Sequence, residues 1–190
     1  MSEMMIDKEK TALVVIDLQK GIAGRTTQPY AADAVVKNAA ALAEAFRQNG
    51  MPVFLVHVTP SADGKDALHP VADNAMPAFA RQPDWAEIVP ELGPKPGDFL
   101  ITKHQWGAFY GTELDLEFRR RGITTMALCG ISTNFGVEST ARFAYEYGYQ
   151  QIFAEDAMSA TSAEEHAHTT TKIFPRIGLV RKTEEILKGM

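Results

Sequence analysis

Apolar positions recur along this chain at two periods. Residues 11–17 (TALVVID), 52–58, 98–103, 123–130 (ITTMALCG), 150–156 and 177–182 are short runs rich in β-branched and aliphatic side chains. Their length and near-continuous hydrophobicity suit strands buried on both faces. Between them the period lengthens. In 31–50, Val35, Val36, Ala39, Leu42, Ala43 and Phe46 fall on one helical face, and Gly50 stands where a helix C-cap belongs. Residues 112–122 predict a helix capped by Thr112, with Asp115 three residues on and Gly122 at its end. Residues 134–148 predict another, with Val137, Ala141, Ala144 and Tyr145 on one face and Gly148 closing it. Ser162 and Glu165 form a capping-box pair ahead of a helix over 162–174, and a short helix starts at Thr183. Only 59–97 resists assignment: rich in Pro, Ala, Asp and Gly, it predicts partial order and a lid.

Strands alternating with amphipathic helices predict one α/β domain over 1–190. The expected architecture is Rossmann-like, three-layer α/β/α, with a mainly parallel sheet of about six strands. Composition narrows the function. Of 190 residues 45% are hydrophobic, enough for a core, and the net charge of −5 with interspersed signs excludes the basic face of a nucleic-acid binder. A single cysteine forms no internal disulfide. The polar start MSEMMIDKEK and the absence of a long apolar run predict a cytoplasmic protein without a membrane partner.

Ligands of open parallel sheets bind beyond the carboxyl ends of the strands. Three polar features fall there: Asp17, Lys103 and the Gly-rich turn GISTNFG at 130–136. An aspartate closing an apolar strand is costly to bury unless a cation or donor meets it, and Lys103 is the candidate partner. The aromatics of HQWGAFYG (Trp106, Phe109, Tyr110) divide between core packing and an apolar wall for the crevice. Trp85, in the long loop, is not placed by the pattern.

The segments ALVVIDLQKGI, ITKHQWGAFYGTEL, LCGISTNFGVESTARFAYEYGY and AEDAMSA together resemble the isochorismatase-like hydrolase superfamily, in order and over nearly the whole chain. In its cysteine-hydrolase branch the turn reads C-G-x-x-T-x-x-C-V-x-x-T-A. Here it reads C-G-I-S-T-N-F-G-V-E-S-T-A, with Gly136 in the slot of the nucleophilic cysteine. Cys129 matches the family's strand-end packing cysteine.

True isochorismatases also resemble this pattern, with glycine at that slot. They hydrolyse a vinyl ether without covalent catalysis. The resemblance therefore implies Asp17 as general acid, Lys103 as orienting cation and Gly136 as a source of space and a backbone N–H. It implies a cis peptide at Ile131–Ser132. Gln19, Ile131, Ser132, Thr133, Asn134 and Phe135 are expected to bind a small-molecule substrate, beside Trp106, Phe109 and Tyr110. No cofactor is implied, and a homodimer or higher homo-oligomer is.

The chain departs from the isochorismatase turn Y-A-H-x-G at Ser132 and Asn134, and for a substrate carboxylate it offers Arg25 and Arg81 outside any motif. Ser132 and Thr133 are alternative nucleophiles, but no histidine in the motif stands ready to activate them. The metal-binding nicotinamidase branch needs Asp-x-His, which none of the five histidines completes, so no metal is expected. A second reading stays open: a cysteine-hydrolase scaffold without its nucleophile, serving as a ligand-binding or assembly protein.

Overall fold

The computed structural model describes residues 5–74 and 82–190. Six parallel strands form one sheet: β1 (Thr11–Ile16), β2 (Val53–Val58), β3 (Phe99–Lys103), β4 (Thr125–Ile131), β5 (Gln150–Ser159) and β6 (Leu179–Arg181), in the order β3-β2-β1-β4-β5-β6. The helices are α1 (Lys20–Ala23), α2 (Ala32–Gln48), α3 (Leu114–Arg120), α4 (Glu138–Glu146), α5 (Ala163–His168) and α6 (Thr183–Lys188).

Strand alternation divides the core into two layers. Leu13, Val15, Ala127 and Cys129 face α2 and α6, joining Val35, Leu42, Phe46 and Ile186. Val14, Ile16, Met126 and Leu128 face α3 and α4, joining Leu114, Phe118, Val137, Ala141 and Ala144. This is the three-layer α/β arrangement expected from the periodicity.

Several local expectations are corrected. Helix α3 starts one residue late, with Glu113 at the cap position and no capping box: the Thr112 hydroxyl accepts from the Leu114 amide and donates to the Ala108 carbonyl, while Asp115 is taken by Arg119 and Tyr149. The helix expected over 134–148 is a π-helical turn, Thr133–Val137, followed by α4, and Tyr145 is exposed while Thr140 completes the buried face. Helix α5 passes into a second π-helical turn, Thr169–Ile173. The short helix α1 was not anticipated. Within 59–97 the described residues form no helix or extended strand. Residues 85–89 lie as a strap on the start of α1, through Lys20 and Gly21 amides donating to Glu87 and Trp85 carbonyls and the Val89 amide donating to Leu18.

Close approach explains one glycine. Gly130 has φ +126°, and a Cβ there would lie 2.0 Å from the Ile16 carbonyl oxygen on the neighbouring strand. Gly130→Ala is therefore expected to cost at least about 4 kcal/mol, or to prevent folding. Gly148→Ala, at φ +87° with nothing within 4 Å, should lose only about 1 kcal/mol from backbone strain. Equal urea midpoints for the two variants would refute the steric account.

Candidate active site

The strand order places a topological switch point between β1 and β4, whose Ile16 and Gly130 are in register. Asp17 follows β1 directly. Its φ is 54°, a left-handed conformation that aspartate tolerates better than most residues, and its amide donates to Val56. Lys103 ends β3, which is separated from β1 by β2. Two interstrand spacings, about 9.5 Å, lie between them, so the pair forms only because the lysine side chain reaches back across β2. Arg47 anchors the start of that edge strand by pairing with Asp98 at 3.0 and 2.7 Å.

Lys103 Nζ donates to Asp17 Oδ2 at 2.8 Å and to the Gln105 carbonyl at 3.0 Å. Lys103 is 1% exposed and Asp17 5%. Asp17 Oδ1 is buried and meets no hydrogen-bond donor among the described residues. Burial raises the Asp17 carboxyl, and although Lys103 and then His57 pull it down, it settles at about 6, above an ordinary 3.8. The folded protein thus binds this proton more tightly than the unfolded chain does. The stabilisation is fully present below pH 4 and lost as pH rises through about 6, amounting to about 3 kcal/mol for this one group. The unfolding free energy of wild type relative to Asp17→Asn should fall over that interval, and a flat difference would refute the shift.

Gly136 lies against this carboxyl. A Cβ at its position would stand 3.0 Å from Ile16 Cγ2, 3.1 Å from Asp17 Oδ2 and 3.4 Å from the Trp106 carbonyl oxygen. Glycine keeps side-chain atoms off Asp17, and it leaves no thiol there. Cys129 is no substitute: it is fully buried in the α2-side core, and desolvation pushes its thiol up to about 12. Native wild type should resist iodoacetamide and be alkylated once per chain only after unfolding in urea. Labelling of folded wild type would contradict the burial of Cys129.

The other expected residues separate. Ile131 is buried, and its peptide bond to Ser132 is cis. Ser132 is half-buried, and Asn134 has a buried Oδ1 without a partner among the described residues. Phe135 and Trp106 are exposed, with ring centroids 4.8 Å apart. The Trp106 backbone carbonyl borders Gly136, so the exposed ring pair is carried by segments that flank the turn. Tyr110 is exposed, and its carbonyl accepts from Gln105. Phe109 is away from the crevice, buried among Phe118, Tyr147 and Tyr149.

Gln19 is fully buried with its amide spent on backbone: Nε2 donates to Val58 and Trp85 carbonyls and Oε1 accepts from the Val58 amide. It ties the strap to β2. Trp85 itself packs on Gly21, where a Cβ would lie 1.9 Å from its ring. Arg25 Nε donates to the Gly21 carbonyl, and Arg81 lies outside the described residues. Among the described residues no three His, Cys, Asp or Glu side chains converge as metal ligands would.

Two partnerships escaped the sequence. Thr140 Oγ1 donates to the Gly136 carbonyl at 2.7 Å and accepts from the Ala108 amide at 3.1 Å, locking the aromatic loop to the turn. Thr133 Oγ1 lies 2.9 Å from His166 Nδ1, and His166 Nε2 lies 3.0 Å from Glu155 Oε1. A histidine does stand beside a turn hydroxyl, then, supplied by α5 from 33 residues downstream. It does not make Thr133 a nucleophile, because Thr133 is 0% exposed. Burial raises Glu155, but hydrogen bonds from His166, Lys182 and Tyr30 outweigh it and hold the carboxyl down at about 2. Only the capping box and the quoted AEDAMSA stretch hinted at these residues.

The isochorismatase domain pattern matches residues 11–185. An uncharacterized isochorismatase family protein of Bacillus subtilis is 53% identical over 190 residues, covering 99% of this chain and 98% of its own. Another from Escherichia coli O157:H7 is 51% identical over 185 residues, covering 97% and 98%. The structure of an isochorismatase family protein from Burkholderia thailandensis superposes with a TM-score of 0.94 at 42% identity, covering 99% and 98%. Matched along its length in sequence and in fold, this chain belongs to the isochorismatase family of hydrolases.

Proposed function

We propose that this protein hydrolyses a small enol ether by acid catalysis without a covalent intermediate, with Asp17 as the general acid. The observation that carries the reading is the Asp17 carboxyl: Oδ2 held by Lys103, Oδ1 without a partner among the described residues, and the acid raised to about 6. A general acid works best when its pKa lies near the working pH. Burial supplies that here, and Lys103 orients the group while keeping the shift moderate. Gly136 leaves room against the carboxyl and removes the covalent route.

In this reaction Asp17 gives its proton to the terminal vinyl carbon. Water adds to the resulting oxocarbenium ion, and the hemiketal collapses to a ketone and an alcohol. The proton released by water restores Asp17. The apolar pair Trp106 and Phe135 shields the crevice, and Ser132 and Asn134 offer polar contacts to substrate.

The test is turnover of isochorismate in D2O by wild type beside Asp17→Ala. The expected result is pyruvate carrying one solvent deuterium in its methyl group, with no turnover by the variant. Absence of turnover by wild type, for isochorismate and simpler vinyl ethers alike, would overturn the proposal and favour the ligand-binding scaffold.

A further inference from the structure

The chain of polar groups behind the turn, buried at Thr133 and His166 and open to solvent at Lys182, crosses five segments of the fold. Thr133 opens the π-helical turn beside Asp17, and His166 comes from α5. Glu155 comes from β5 where its register against β4 shifts between Leu128 and Gly130, a bulge that re-aims side chains. Tyr30 Oη donates to Glu155 Oε1 at 3.0 Å, and Lys182 Nζ donates to Glu155 Oε2. The Tyr30 ring also meets the His166 ring edge-on at 5.7 Å.

Donor and acceptor roles follow from the chemistry. A carboxylate held at about 2 is ionised at neutral pH and only accepts. The ring of His166 therefore carries its proton on Nε2, and in the neutral ring Nδ1 is an acceptor. With the ring neutral, the Thr133 hydroxyl, 2.9 Å away, is the donor to Nδ1. His166 is 2% exposed and Thr133 0%, so water does not compete for these bonds. Apolar side chains would fill the same space without the desolvation cost. What the polar chain adds is a fixed position for the turn.

We propose that His166 is a positioning residue of the active site: oriented by Glu155, it holds Thr133 and thereby fixes the 132–136 turn against Asp17. The inference rests on reading the Asp17 crevice as the reaction site. It assigns His166 no contact with substrate. The turn carries Ser132, Asn134, Phe135 and Gly136, so a small rotation of it displaces most of the groups proposed to meet substrate beside the acid.

The experiment compares wild type with His166→Leu, His166→Gln and Thr133→Val, using 15N-histidine spectra, turn amide shifts and isochorismate turnover. Glutamine keeps a donor for Glu155 and an acceptor for Thr133, whereas leucine keeps neither. Wild type should show the Nε2–H tautomer, and Thr133→Val should move the Nδ1 resonance. His166→Leu and Thr133→Val should each shift the 132–136 amides and lower kcat on the order of 10-fold to 100-fold, with KM within about 3-fold, while His166→Gln stays near wild type.

The double variant Thr133→Val/His166→Leu should be no worse than either single. A His166→Leu protein that loses only thermal stability, with kcat and turn amides unchanged, would overturn the inference. So would unmoved turn amides in Thr133→Val should His166→Leu fail to fold. If wild type turns over no vinyl ether, the reaction proposal falls alone, and the tautomer and amide shifts still decide the positioning role.

Discussion

Replacing Asp17 by asparagine is expected to lower turnover of an enol ether about 100-fold to 10,000-fold, the usual contribution of a positioned general acid. Asparagine is nearly isosteric, and its carbonyl oxygen can still accept from Lys103 Nζ, which sits 2.8 Å from Oδ2 in the native protein. What it cannot do is release a proton. KM should change little, because the proposed substrate contacts at Trp106 and Phe135 are untouched. The pH dependence of wild type supplies an independent check. The acid is competent when protonated, so the rate should decline as pH rises through about 6. An asparagine variant retaining activity within a few-fold of wild type would remove Asp17 from the chemistry.

Lys103→Met is the second large effect, and it acts on stability. Methionine keeps an apolar stem across β2 but removes the cation that, among the described residues, pairs with the Asp17 carboxyl. Breaking a buried pair by deleting one partner typically costs about 3 to 5 kcal/mol, because the remaining charge is left without compensation. The loss should be largest near pH 8. There Asp17 must either ionise in an apolar setting or take up a proton from dilute solution. Near pH 5 the carboxyl is protonated in the variant, its pKa having risen further above 6, and the loss should shrink.

Adding Asp17→Asn to Lys103→Met should recover part of the stability, since no charge is then buried. Urea unfolding of the two singles and the double at pH 5 and pH 8 closes the cycle. A pH-independent loss below about 0.5 kcal/mol for Lys103→Met would show that the pair is solvated rather than buried.

The order of elements and the parallel sheet are local or near-local properties, and they were legible. Six apolar runs, the Val35-to-Phe46 stripe and the glycines at helix ends encode them through the 2.0 and 3.6 residue periods. The conspicuous absence of a thiol at Gly136 was legible too, because a strand-to-helix turn keeps its spacing in the chain. Helix starts were less so. The loop before α3 and the 133–137 turn are tied together by the Ala108 amide donating to Thr140, 32 residues away, which no short window contains.

Other features depended on distance in space. From the pattern alone, Gln19 and Phe109 were indistinguishable from substrate contacts. Gln19 is consumed by backbone groups 39 and 66 residues away, and Phe109 by an aromatic cluster on the α3 side. His166 met the turn across 33 residues, and Lys103 met Asp17 across 86. The balance at Asp17 is the clearest case. Residue identity placed an acid and a base at one sheet edge and left open which way the proton affinity would move. Burial of both groups, with one carboxyl oxygen paired and the other not, tipped it upward. Desolvation depends on everything packed around a group, whereas identity and spacing belong to the chain itself.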